Sequence, residues 1–136
     1  MSSLFAWSPR ILSVLRIVTA LCFMEHGLMK LLHFPIAQPG APNPLPPMLL
    51  VAGCLELVGG GLLVVGLLSR AVAFLLSGEM AVAYFMAHFP QSPYPAVNMG
   101  EAAVLYCFIF FYIFFAGPGP WSLDALVFRN RVGVAA

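Results

Sequence analysis

An all-α fold, a transmembrane four-helix bundle running up-down-up-down, is predicted by three features of this sequence. Of its 136 residues 62% are hydrophobic and only 8% charged, with a mean hydropathy of +0.98. A soluble domain carries about a quarter charged residues, so lipid must be the solvent for most of this surface. Four apolar runs, about 10–33, 48–68, 70–88 and 98–116, approach the ~20 residues that cross a bilayer at ~1.5 Å each. The twelve prolines stand outside the cores of those runs, as they must where a missing N–H would break a helix.

The same composition excludes other classes. Disordered chains are polar and charge-rich. A net charge of +1 with six scattered Lys and Arg leaves no basic footprint for a nucleic acid. Cys22, Cys54 and Cys107 are singletons in apolar stretches, so they form neither a dithiol motif nor a zinc site and read as small hydrophobes. No A-x-A site follows the first apolar run, so that run is expected to stay as a span and not to be cleaved as a signal peptide.

Each element follows in order. The first span ends at "HFP", 33–35, and six prolines in "PIAQPGAPNPLPP" then force a loop with polyproline character. The second span reaches "LSRA", a connection so short that spans two and three must be antiparallel neighbours. The third connection, "PQSPYPAV", is again short and proline-rich. Asn98 and Glu101 in "NMGE" have capping-box spacing for the start of span four. Gly-Pro-Gly-Pro ends that span, and Ser122 is placed to N-cap a short interfacial helix over about 121–128. The chain reads as a single membrane domain over 1–136.

Orientation follows from the basic residues. Arg10, Arg70, Arg129 and Arg131 fall on the side of both termini, whereas the two proline-rich loops hold no Lys or Arg. Both termini are therefore expected in the cytoplasm, with Trp7 and Trp121 in the interfacial belt of a bacterial-type inner membrane. A repeat is also visible: Glu25 to "HFP" in span one, Glu79 to "HFP" in span three, each followed by a span with its own glutamate. Two helical hairpins in the same orientation would produce it.

Four of the five acids, Glu25, Glu56, Glu79 and Glu101, supply one carboxylate to each span. An ionised group near mid-bilayer costs about 2.5–3.5 kcal/mol even on lenient scales, so these side chains are expected to face inward and be paired, hydrated or protonated. His26, Lys30, His33, His88 and Asn98 share their half of the bundle, and Arg16 sits alone in the other. At ~100° per residue, Thr19, Cys22, His26, Lys30 and His33 form one stripe and Glu25 lies on a neighbouring face. Ser77, Ala81, Tyr84 and His88 form another stripe, opposite Glu79. Structural roles compete for several of these residues. Lys30 and His33 can snorkel to the interface, and Glu56, with Ala52 and Gly60 on its face, can make an interhelical hydrogen bond at a close contact.

Glutamate and histidine gathered at one membrane face are proton-exchanging groups. Quinol oxidation needs such groups beside an aromatic slot reachable from lipid, which "VLYCFIFFYIFF" offers. Glu25 with His26, and Glu79 with His88, are the candidate catalytic pairs. Arg16, Lys30, Glu56 and Glu101 are the candidate pocket-lining or pairing groups, Arg16 as an internal counter-charge. No E-x-x-H pair exists for a di-iron site and no matched histidines for haem, so no metal is expected.

These residues, in this order, resemble the DoxX family of small four-helix membrane proteins. The resemblance covers about 10–125 and rests on Arg16, the His26-Gly27-x-x-Lys30 motif, Phe34-Pro35, Glu56 with its glycines, the Leu-Ser-Arg turn, Glu79, His88, Asn-x-Gly-Glu and the terminal Gly-Pro-Gly. It implies a membrane subunit of a quinone-linked oxidoreductase, as in the thiosulfate:quinone oxidoreductase for which the family is named, working with other subunits or as a homo-oligomer. A non-catalytic anchor or assembly subunit is the alternative, and a proton-coupled carrier the third.

Overall fold

The computed structural model describes the backbone of residues 2–132 and the side chains of residues 4–127, and every regular element among them is helical. Helix α1 (Ser2–Leu32) leads through the proline loop to α2 (Pro47–Val65), and α3 (Ser69–Ala83) continues as a π-helical turn, Tyr84–His88. A short α4 (Pro95–Asn98), then α5 (Glu101–Ala116) and α6 (Leu123–Val132) complete the chain. Three helical segments, Leu4–Leu32, Pro47–Val65 and Ser69–His88, are long and apolar enough to cross a membrane; Glu101–Ala116 is a shorter apolar helix.

Three boundaries depart from the sequence reading. Helix α1 begins well before residue 10 and runs through Pro9; the proline stands two turns in, so Phe5 O goes without the amide that would otherwise donate to it. Span two stops at Val65 because Gly66 adopts a left-handed conformation (φ 71°), with its N–H on Leu63 O. Span four is broken near its start. Met99 (φ 59°) and Gly100 interrupt the helix, and Gly100 is the N-cap of α5. The expected capping box is not made: Asn98 Oδ1 accepts from Gly100 N at 2.7 Å, and Glu101 is exposed at the first helical position, two positions short of a box glutamate.

Helices α1 and α2 pack as one antiparallel pair, α3 and α5 as another, and α2 against α3 joins them. Glycine sets the first contact. A Cβ on Gly27 would lie 2.7 Å from Leu57 N and 2.8 Å from Gly53 O, so the two backbones touch where a side chain would stand. Phe23 reaches across to α5, with ring centroids 4.9 Å from Phe110 and 5.2 Å from Tyr106, both edge-on. Around it Ala20, Leu63, Leu76, Met80 and Ile113 form a buried core.

One end of the molecule is fastened by charge on backbone. Arg16, fully buried, donates from Nε to Pro118 O (2.8 Å), from one terminal nitrogen to Leu63 O and Val64 O, and from the other to Trp121 O (2.5 Å). It therefore satisfies carbonyls at the end of α2 and holds the C-terminal segment to it; among the described residues no carboxylate forms an ion pair with it, and the contacts it makes here are those of a cap. Arg70 takes Phe114 O (2.6 Å) and Phe115 O (2.7 Å) at the end of α5. Asp124 accepts from Leu68 N and Ser69 N, both at 2.8 Å, at the start of α3. Each charge has the sign the helix dipole favours. Ser122 Oγ accepts from Ala125 N at 3.1 Å, N-capping α6. Arg129 and Arg131, used in the orientation argument, lie outside the described side chains.

Candidate functional site

The polar centre of the molecule lies between α1, α2 and α3. Lys30 and Glu56 form an ion pair, the one such pair among the described side chains, and both are nearly sealed, at 9% and 3% exposure. Its geometry follows from helix direction. Side chains lean toward a helix's N-terminus, so Lys30, near the C-terminal end of α1, leans inward along the bundle and not toward the nearer surface. Glu56 is the central residue of α2, about 13 Å from either end. Lys30 does not snorkel to the interface; it crosses to the middle of the neighbouring helix.

Glu79 belongs to the same site. It is half-buried, yet both carboxylate oxygens are inaccessible and lack a hydrogen-bond partner, as does Glu56 Oε2. Buried polar groups are nearly always satisfied, so three oxygens on two neighbouring carboxyls without a partner in the chain single this place out as the candidate site.

Lys30, Glu56 and Glu79 line a cleft of about 740 Å³ whose remaining walls are almost wholly apolar. Phe74, Phe108, Phe111, Met48, Met86 and Val82 edge it and are themselves exposed, so it opens sideways on the surface that faces lipid. Gly78 contributes space: nothing lies within 4 Å of where its Cβ would be. The π-helical turn lies at one end, with Met86 and Ala87 in the wall; such turns re-aim side chains and often accompany functional sites. Ser77 Oγ donates to Cys107 O at 2.9 Å, tying α3 to α5 behind the cleft.

The other candidate residues are distributed differently. Glu25 and His26 are exposed, outside the cleft, and neither forms a hydrogen bond or an ion pair with Glu79. His26 packs edge-on against Tyr106, centroids 6.0 Å apart. His88 Nδ1 is hydrogen-bonded to Asn98 O at 3.0 Å, and no bond joins it to Glu79. It belongs to a network with Tyr84, Ser92 and Asn98 that satisfies the backbone around the break in span four. Glu101 and His33 are exposed at helix ends. Among the described residues no three His, Cys, Asp or Glu gather as metal ligands.

The structure thus unites three of the eight candidates, Lys30, Glu56 and Glu79, and disperses the rest. Sequence reasoning missed Phe74, Gly78 and Met86 as cleft walls, since nothing distinguishes them there from ordinary lipid-facing residues, whereas Phe108 and Phe111 belong to the aromatic run read as a slot. For Lys30 with Glu56 a signal existed: the close contact allowed by Gly53 and Gly60 fixes which residues of the two helices meet.

A family model described as DoxX matches residues 11–89. A protein of Haemophilus influenzae described only as uncharacterized is 44% identical over 134 residues, covering 96% of this chain and 100% of the relative. No solved structure matches.

Proposed function

The chain belongs to the DoxX family, and from that premise we propose that it is the membrane subunit of a quinone-linked oxidoreductase, binding the quinone in the cleft between α2, α3 and α5. The reading rests on one observation: two unpartnered oxygens of Glu79 at the end of an apolar, lipid-facing cleft. A quinone is an apolar, lipid-dissolved molecule whose ring oxygens take up two electrons and two protons on reduction. Its shape divides as the cleft does, with a polar head for the carboxyl end and a hydrocarbon tail for the Met- and Phe-lined mouth. Glu79 then holds or gives up a proton at the ring oxygen, Lys30 fixes Glu56 behind it, and a redox partner subunit supplies the electrons.

In this arrangement the four membrane helices run up-down-up-down with both termini in the cytoplasm of a bacterial cell, α4 and α5 together forming the fourth span. A second reading, a non-catalytic anchor or assembly subunit, draws support from the Lys30–Glu56 pair and from Arg16, which commit charge to helix packing.

The readings separate on two substitutions. Photoaffinity labelling of the protein in lipid nanodiscs with an azido-quinone should mark cleft peptides, with competition by unmodified quinone. Gly78→Leu starts from a Cβ with nothing within 4 Å and extends into the cleft, so the fold should persist while labelling is lost. Glu79→Gln should weaken competition about tenfold, the worth of about one hydrogen bond to a charged group. Labelling no greater than that of bilayer-exposed residues elsewhere, or unchanged in Gly78→Leu, sinks the quinone reading.

A further inference from the structure

Glu25 is exposed within a segment long and apolar enough to cross a membrane, and no described residue satisfies it. It is exposed, it stands two turns inside the C-terminal end of α1, and its carboxylate takes part in no ion pair. Snorkelling does not resolve this, because its side chain leans toward the helix N-terminus, away from the nearer end. Histidine does not resolve it either, since His26 is turned about 100° away and packs on Tyr106. Something outside the chain must meet this carboxyl.

The surroundings say what. Ile11, Val14, Val18, Leu21, Glu25 and Leu28 recur at alternating intervals of three and four, the a/d spacing of a left-handed helix pair. All but half-buried Leu28 are exposed, and the stripe lies away from the buried Ser13, Arg16, Ala20, Phe23 and Gly27 that face the bundle. An apolar stripe in a membrane needs no partner. A carboxyl at one of its a positions does, and a single polar residue in such a seam fixes register and partner.

We propose that the outer face of α1 is a self-association surface, and that its occupant is a second copy of this chain, paired α1 to α1 through Glu25. Copies inserted with one topology present α1 in the same direction, so the helices meet in parallel. In a parallel seam equal positions face each other, which sets Glu25 against its own counterpart. A carboxyl group is complementary to itself: protonated, it donates one hydrogen bond and accepts another. Two copies thus satisfy the group that one cannot, and interhelical hydrogen bonds of this kind hold membrane helices together. The inference goes beyond the quinone cleft, which opens between α2, α3 and α5, and stands or falls apart from it.

Disulfide cross-linking in native membranes tests it. In a chain with Cys22, Cys54 and Cys107 replaced by Ser, single cysteines are placed by Val18→Cys and Leu21→Cys on the seam. Val58→Cys on α2 and Phe108→Cys on α5, both also exposed, serve as controls. Oxidation should give a band of twice the monomer mass from the two seam positions and not from the controls. Adding Glu25→Leu should lower the seam yield about tenfold, and Glu25→Gln, which still donates and accepts, should retain it. Equal yields at all four positions, adducts with a different protein, or Glu25→Leu cross-linking as well as the parent would overturn the proposal. The seam and control variants keep Glu25, so the comparison holds even where Glu25→Leu fails to fold.

Discussion

Lys30 and Glu56 are 26 positions apart in sequence, and neither is tolerable without the other. A lone ammonium or carboxylate at the centre of α2 would forfeit its hydration and gain nothing, whereas the pair, joined by a charge-assisted hydrogen bond, recovers most of the loss. The asymmetry makes a prediction. Lys30→Met strands Glu56 and should cost about 3 kcal/mol, while Lys30→Met with Glu56→Leu should return to within about 1 kcal/mol of the parent. Thermal or denaturant unfolding of the four members of this cycle in mild detergent measures both. If the double variant is as unstable as the single, the pair is not what Lys30 contributes. Arg16 shows the opposite use of a buried cation. It meets carbonyl oxygens at four residues and needs no acid, because carbonyls at a helix C-terminal end and in the glycine-proline turn keep acceptor capacity for it, even at Leu63, whose oxygen also accepts from Gly66 N.

Pairing between helices is decided by the residues that are missing a side chain. Gly27 sits where a Cβ would strike Leu57 N at 2.7 Å and Gly53 O at 2.8 Å, and both of those atoms belong to helix backbone, which cannot step aside. Gly61, in the same α2 helix, faces open space. Gly27→Val should therefore push α1 and α2 apart, break the Lys30–Glu56 pair and destabilise the protein by roughly 3 kcal/mol or more. Gly61→Ala should be neutral or stabilising by roughly 0.5–1 kcal/mol, through helix propensity alone. Unfolding midpoints that move equally for the two would remove the close contact from the account. This element scale is also where sequence reading reached its limit. Three apolar spans, the proline-rich loops and the cap at Ser122 were legible because each depends on neighbours a few residues away. The repeat of glutamate and "HFP" pointed to two hairpins, and the helices do pair α1 with α2 and α3 with α5. Rotation and register were not legible. At 100° per residue Glu25 and His26 separate correctly, but only the packing at Gly27, Gly53 and Gly60 decides that Lys30 turns inward while Glu25 turns out. The same stripe that joined Thr19, Cys22, His26 and Lys30 on paper holds both buried and exposed residues, since its edges straddle the boundary of the α1–α2 contact. His88 was a candidate base by residue type, yet the break at Met99 and Gly100 gives it a backbone carbonyl to hold.

Across the whole molecule, basic residues and polar backbone fastenings collect at one end and the proline-rich loops at the other. Arg16, Arg70, Asp124 and Ser122 join the ends of α2, α3 and α5 to the turn before α6, while residues 35–47 and 90–98 contain no Lys or Arg. Positive charge near span ends resists translocation, so the fastened end should lie in the cytoplasm and both loops outside. The antiparallel contacts agree with this arrangement, because an α1–α2 hairpin and an α3–α5 hairpin, joined by the short turn at Gly66–Leu68, return both termini to the same end. In the cysteine-free chain, single cysteines at Asn43 and Gln91 should react with a membrane-impermeant maleimide added to intact cells or spheroplasts. A cysteine at Ala71, beside Arg70, should react only after the membrane is opened. Fluorescent-protein fusions at the N and C termini should both glow, as they do only when folded in the cytoplasm. A loop cysteine that requires permeabilisation would show an even number of crossings between the N terminus and that loop, and a dark fusion at the C terminus alone an odd number between the two termini. The fourth span, α4 with α5, would then be the segment to reassign, since α5 alone is the apolar helix too short for an ordinary crossing.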